Sequence, residues 1–141
     1  MASGQDLVKI AQAESGTKES GTNNVKYNTW FYGHEVDGSN YPWCAVFVSW
    51  CADKAGITTD IMPKTASAGY FAHYANQGHG EVFTNKNPEA GDLFLINYNG
   101  SDWANHVGIV ASCDGSNITT IEGNSSDMVR SRTLSMSGLT F

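Results

Sequence analysis

Apolar residues recur with a helical period in the first half of the chain and form short runs separated by turns in the second half. The first periodic segment predicts a helix over residues 3–16, and it ends at a glycine. Its core-facing positions are predicted to be Leu7, Ile10 and Ala11. The polar stretch 16–28 that follows is predicted to be a loop.

A central helix is predicted over residues 44–56. Pro42 fixes its own φ and disfavours helix at the residue before it, so the helix is expected to begin after it. Cys44 then lies in the first helical turn, where unpaired N–H groups and the helix dipole stabilise a thiolate. Cys51 lies two turns further on and is predicted to be a buried structural thiol. The pattern therefore selects Cys44 as the candidate nucleophile.

The second half of the chain is predicted to consist mainly of β-strands. A further helix is predicted over residues 65–76, and strands are predicted over residues 93–96, 106–110, 118–122 and 129–134. Helices followed by strands indicate an α+β fold, with N-terminal helices packed on a C-terminal antiparallel β-sheet. One domain is expected to span residues 1–141.

Composition narrows the functional classes. The chain has 141 residues, of which 40% are hydrophobic and 16% charged, which is typical of a folded domain. A formal net charge of -6 argues against a nucleic-acid partner bound through its phosphates. We predict no membrane partner and no signal peptide on this chain, because neither a membrane-spanning run nor a secretory pattern is present. A monomer is also predicted. Three cysteines without dense spacing do not predict a disulfide framework.

A cysteine nucleophile needs a base within hydrogen-bond reach and a group that orients the base. His106 is the best of the four histidines, because it stands at the start of a predicted strand. Glu122 and Asn124 close the next strand, and Glu122 is an acid in an otherwise apolar run. The alternative for Glu122 is a surface acid at a strand end.

Aromatic residues lie on both sides of these candidates. The cluster Tyr27, Trp30, Phe31 and Tyr32 either covers the core or lines a groove beside Cys44. We predict that substrate-contacting side chains flank the nucleophile and the base, and these are Tyr41, Trp43, Trp103 and Asn105.

Four sequence blocks in order resemble the CHAP family, the cysteine, histidine-dependent amidohydrolases/peptidases of the NlpC-type, papain-like group. The blocks are YPWCAVFVSW from Tyr41, PEAGDL from Pro88, HVGIV from His106 and TIEGN from Thr120. The resemblance implies a papain-like fold and a peptidoglycan hydrolase of the kind found in phage and bacterial lysins.

The resemblance also implies the role of each site residue. Cys44 would be the nucleophile, His106 the general base and then acid, Glu122 the residue that orients His106, and Asn124 a supporting polar residue. Some relatives bind calcium in the loop before the cysteine. No cofactor is predicted here, but Glu35 and Asp37 are calcium candidates, and Val46 stands where those relatives have an acid.

The implied substrate is bacterial peptidoglycan, cut at an amide bond through a thioester, by either an N-acetylmuramoyl-L-alanine amidase or an endopeptidase. Such a domain would act on the cell wall outside the cell or with a phage, and the alternative of a piece cut from a longer lysin stays open. Two other functions stay open at this point. One is a wall-peptide binding module without activity, and the other is a general papain-like cysteine protease.

Overall fold

The computed structural model describes residues 4–38, 41–57, 64–67, 70, 90–96, 106–125 and 128–135. Within these, three helices precede four strands. The helices are α1 (Gly4–Ala13), α2 (Lys26–Tyr32) and α3 (Cys44–Lys54), and the strands are β1 (Leu93–Ile96), β2 (His106–Cys113), β3 (Asn117–Ser125) and β4 (Met128–Ser135). The predicted α+β class is confirmed. The helix predicted over residues 65–76 falls largely outside the described residues.

The strands form one antiparallel sheet in the order β1-β2-β3-β4. Successive side chains point to opposite faces, so each strand contributes to two apolar layers. One face packs against the helices with Leu95, Val107, Ile109, Ile121 and Val129. The other face carries a smaller buried cluster of Phe94, Val110 and Ile118. Apolar residues on both faces explain why these strands appear as continuous apolar runs in the sequence.

Helix α3 is the centre of the core. It packs on β2 and β3 on one side and on α1 and α2 on the other. Its residues from Cys44 to Ser49 are all buried, as are Cys51 and Ala52. A helix that is apolar around most of its circumference is expected in this enclosed position. The predicted burial of Cys51 is confirmed.

The predicted loop over residues 16–28 is wrong at its end, because α2 begins at Lys26. This helix has only seven residues and is rich in aromatic side chains, which have modest helix propensity. Packing stabilises it instead. The fully buried Tyr27 ring stacks on Trp43 at a centroid distance of 5.6 Å and meets the edge of Phe47 at 5.0 Å.

The core face of α1 is wider than predicted. Leu7 and Ala11 are fully buried as expected, but Val8 is buried as well and Ile10 only partly. The helix contacts α3, β2 and β3, so a broader stripe of its surface meets the core. Among the described helices, none is both long and apolar enough to cross a lipid bilayer.

The packing of α3 on β3 depends on a close approach at Gly123. A Cβ atom at this position would lie 2.8 Å from Cγ of Phe47 and closer still to its Cβ. Because Phe47 Cβ is attached directly to the backbone of α3, it cannot rotate away. Only a glycine allows the strand and the helix to pack at this distance.

We predict that Gly123→Ala lowers the free energy of unfolding by about 1–3 kcal/mol, the usual cost of overpacking a core. The measurement is urea unfolding followed by circular dichroism. Ser131→Ala on β4 is the control, because Ser131 is exposed, and a surface change should stay within about 0.5 kcal/mol. Equal stability of Gly123→Ala and the wild type would contradict the close-approach argument.

Candidate active site

Cys44 is the first residue of α3. The first intrahelical hydrogen bond joins the N–H of Phe47 to the carbonyl of Trp43 at 2.9 Å, so the N–H groups of Cys44, Ala45 and Val46 precede it. These N–H groups at the helix start can donate hydrogen bonds to an anion beside Cys44. Cys44 itself is only 7% exposed.

His106 is the first residue of β2, and its ring connects Cys44 with Glu122. Nε2 lies 2.6 Å from Oε1 of Glu122, and the Cys44 thiol lies close enough to the ring to raise the pKa of His106. Each ring nitrogen has one in-plane site, so Nδ1 is the nitrogen available to Cys44. A thiol, an imidazole and a carboxylate therefore stand in series.

The carboxylate of Glu122 is fully buried and accepts hydrogen bonds from three strands. Besides His106 on β2, the hydroxyl of Thr120 on β3 donates to Oε2 at 2.5 Å. Arg132 on β4 donates from Nε to Oε2 at 2.7 Å and from Nη2 to Oε1 at 2.5 Å. Burying a carboxylate costs several kcal/mol unless it is paired and hydrogen-bonded, and these donors supply both.

Two partners of Glu122, Thr120 and Arg132, were not predicted from the sequence. Arg132 lies on β4, where residues 130–135 alternate between half-buried and exposed, which is the pattern of a surface strand. Glu122 itself indicates such a partner in the sequence, because an acid within an apolar run requires a cation nearby. The sequence does not say which cation this is, because pairing between β3 and β4 decides it.

His106 and Glu122 shift each other's pKa. Burial lowers the pKa of His106, but hydrogen bonds to Cys44 and Glu122 outweigh burial and raise it from 6.5 to about 9. Burial raises the pKa of Glu122, but hydrogen bonds from His106, Arg132 and Thr120 outweigh burial and lower it from 4.5 to about 2. At neutral pH the site therefore holds an imidazolium and a carboxylate.

The sequence model of the CHAP domain matches residues 36–124, which is more than half of the chain and includes Cys44, His106 and Glu122. The chain belongs to the CHAP family. A comparison with curated proteins gave no match.

Two solved structures share the CHAP fold of this chain. "The crystal structure of Ly7917 with the hydrolyzing product of MDP" superposes with a TM-score of 0.58 at 17% identity, over 98% of this chain and 62% of that one. "The crystal structure of Ly7917" superposes with a TM-score of 0.56 at 17% identity, over 98% and 61%. The chain thus spans about three fifths of the length of Ly7917.

Gly108 gives the CHAP site room for its carboxylate. A Cβ atom at this position would lie 2.8 Å from Cγ of Glu122 and would overlap the ring of Phe94. The glycine of the HVGIV block therefore allows the Glu122 side chain to cross β2 towards His106.

Asn124 lies in a bulge of β3, where the register with β4 shifts between Glu122 and Ser125. Its φ of 58° is in the left-handed region, which asparagine tolerates better than most residues. This backbone conformation by itself accounts for an asparagine at this position. The supporting role that the sequence analysis gave to Asn124 stays a prediction.

The predicted groove walls divide into three cases. The prediction that Trp43 contacts substrate is wrong. Its side chain is fully buried, stacks on Tyr27, and donates its indole N–H to Oε1 of Glu19 at 2.9 Å. Because it belongs to the core, it cannot form a groove wall. Tyr41 is half-buried, and its role as a groove wall stays a prediction. Trp103 and Asn105 lie outside the described residues.

The calcium candidates do not form an adequate donor set. Glu35 and Asp37 are exposed, and Oδ1 of Asp37 accepts the N–H of Thr22 at 3.1 Å. Val46 is fully buried and has no side-chain oxygen. Calcium takes about six to eight oxygen ligands. Within the described part of the chain, no three His, Cys, Asp or Glu side chains are grouped to hold a metal, so these residues do not fit calcium.

We predict that Cys44 is the first of the three cysteines to be alkylated by iodoacetamide near neutral pH. The thiolate is the reactive form of a cysteine, and Cys44 lies at the start of α3 beside the proposed base His106. Burial raises the pKa of the Cys51 thiol, which should protect it. Cys113 is half-buried at the far end of β2.

Peptide mass mapping at short reaction times measures the order of labelling. His106→Ala is the matched variant: it should slow labelling of Cys44 and leave the rate at Cys113 unchanged. Labelling of Cys51 or Cys113 before Cys44 would contradict the prediction.

Proposed function

We propose that this chain is a peptidoglycan hydrolase that cuts an amide bond with Cys44 as nucleophile. The observation that carries the proposal is the series Cys44, His106 and Glu122 in a chain that belongs to the CHAP family. The Ly7917 structure that contains the hydrolysis product of MDP, a peptidoglycan fragment, supports the substrate class. The expected place of action is the bacterial cell wall.

The proposed reaction begins at the thiolate of Cys44. It attacks the carbonyl carbon of the substrate amide, and the electron pair of the C=O bond moves to the oxygen. The backbone N–H of Cys44, which precedes the first intrahelical bond, is a candidate donor to this oxyanion. When the tetrahedral intermediate collapses, the C–N bond breaks and the His106 imidazolium gives its proton to the leaving amine.

The second half of the proposed reaction releases the acyl group. His106, now neutral, takes a proton from a water molecule that attacks the thioester carbon. The C–S bond then breaks, the carboxylic acid product leaves, and the thiolate–imidazolium pair is restored. Throughout both halves, Glu122 keeps the ring oriented through Nε2 and stabilises its charge.

Removal of either catalytic group tests the proposal. Cys44→Ala and His106→Ala should reduce release of soluble fragments from purified cell walls by at least about 1,000-fold, because nucleophile and base act as a unit. Cys113→Ser is the control and should retain wild-type release, since Cys113 lies outside the site and serine can still accept the N–H of Gly115.

Mass spectrometry of the fragments identifies the bond. A free muramic acid carboxyl group would indicate an amidase, and a new terminus within the stem peptide or cross-bridge would indicate an endopeptidase. Full lysis by both Cys44→Ala and His106→Ala would refute the proposal. Wall binding by the wild type without any released fragment would favour a binding module.

The pH dependence of fragment release reports the protonation of His106. Its pKa is raised from 6.5 to about 9, so the imidazolium prevails below about pH 9 and is lost above it. Because only the protonated ring can donate to the leaving amine, the rate should fall as the pH rises through about 9. Rates of release from wall fragments between pH 6 and pH 11 measure this fall, and circular dichroism checks that the protein stays folded. A fall centred near 6.5 would show that the site does not hold the imidazolium.

A further inference from the structure

The guanidinium of Arg132 binds the Glu122 carboxylate through two hydrogen bonds, as a bidentate fork. Nε donates to Oε2 at 2.7 Å and Nη2 donates to Oε1 at 2.5 Å. Oε1 is also the oxygen that faces Nε2 of His106, at 2.6 Å. One oxygen thus connects Arg132 to the ring of the proposed base. A bidentate pair of this kind fixes the plane of a carboxylate as well as its charge.

Arg132 reaches Glu122 diagonally across the β3–β4 pair. The residue directly opposite Glu122 on β4 is Arg130, whereas Arg132 lies opposite Thr120. The backbone N–H of Arg132 donates to Oγ1 of Thr120 at 3.2 Å, and that hydroxyl in turn donates to Oε2 of Glu122. Within the described part of the chain, the hydrogen bonds to the carboxylate come from His106, Thr120 and Arg132.

Thr120 alone would not fix the oxygen that His106 uses. Its hydroxyl donates to Oε2 only, and a single hydrogen bond does not fix the plane of the carboxylate. The two hydrogen bonds from Arg132 engage both oxygens and fix that plane. We infer that Arg132 is a positioning residue for the proposed reaction: it acts through Glu122 to hold the His106 ring in line with Cys44. The inference rests on the proposed function for its rate measurement alone.

The charged and titratable groups around His106 make the inference testable. Among the described residues they are the Cys44 thiol from α3, the Glu122 carboxylate from β3 and, behind it, the Arg132 guanidinium from β4. The group facing the ring from β1 is Phe94, at a centroid distance of 6.1 Å, and it carries no charge. A cation that acted only by its charge would repel the imidazolium, whereas a fork that orients Glu122 stabilises it.

Arg132→Lys separates these two effects, because lysine keeps the charge and loses the fork. We expect the titration midpoint of His106, followed by NMR of its ring Cε1–H, to fall by about one pH unit, since the carboxylate no longer holds the imidazolium firmly. We expect kcat on a soluble peptidoglycan fragment to fall about tenfold with KM nearly unchanged, because Arg132 does not contact the reacting atoms.

The matched control is Arg130→Lys, which makes the same chemical change two residues away on the same strand. It should retain the wild-type midpoint and kcat, because the hydrogen bonds that the described residues make to Glu122 come from His106, Thr120 and Arg132. Circular dichroism and thermal unfolding check that each variant is folded. If Arg132→Lys does not fold, Arg132→Gln is the second variant; it can donate to one oxygen only, and kcat should again fall with KM nearly unchanged.

A double-mutant cycle distinguishes positioning from a general structural role. In a Glu122→Gln background, Arg132→Lys should cause no further loss of kcat, because the group through which it acts is already gone. An additive loss in that background would overturn the inference. So would an unchanged midpoint and an unchanged kcat in Arg132→Lys, or an equal shift in Arg130→Lys.

The NMR titration keeps this test independent of the proposed function. If the wild type releases no fragment from cell walls, the proposed function fails, but the His106 midpoint still reports whether Arg132 acts through Glu122. If the wild type is active and the midpoint does not respond to Arg132→Lys, the inference fails and the proposed function stands.

Discussion

The fully buried carboxylate of Glu122 is the constraint on which the site depends. An ionised carboxylate loses its hydration on burial, and only well-aligned donors compensate for that loss. Here the donors come from β2, β3 and β4, so the carboxylate is satisfied only when the three strands pair in the observed register. A shift of one residue would turn Arg132 to the other face and leave the charge buried without its cation.

The sequence predicted those parts of the site that depend on local patterns. Cys44 at a helix start follows from Pro42 and the apolar run after it, and His106 and Glu122 follow from strand boundaries and from an acid in an apolar segment. Arg132 could not be predicted, because its role depends on pairing between strands rather than on its neighbours in the chain. The prediction that Trp43 forms a groove wall was wrong for the same reason, because its hydrogen-bond partner Glu19 is 24 residues away in the sequence.

The fold shows the same division between local and non-local causes. The four strands and α3 were predicted because runs of apolar residues bounded by turns determine them locally. Helix α2 was not, because seven residues with modest helix propensity form a helix only when tertiary contacts stabilise it. Its stabilising contacts run from Tyr27 to Trp43 and Phe47, which lie far from it in the sequence.

These contacts show that the nucleophile and the base are held by separate parts of the chain. The segment before Cys44 is fixed from the N-terminal side, where Trp43 bonds to Glu19 and the amide of Asn28 donates to the carbonyl of Tyr41 at 2.9 Å. His106 is fixed from the sheet side, through Glu122. The two halves meet because α3 packs tightly on β3, and Gly123 sets that distance by admitting Phe47. The alignment of Cys44 with His106 therefore depends on the packing between helix and sheet as much as on the hydrogen bonds within the site.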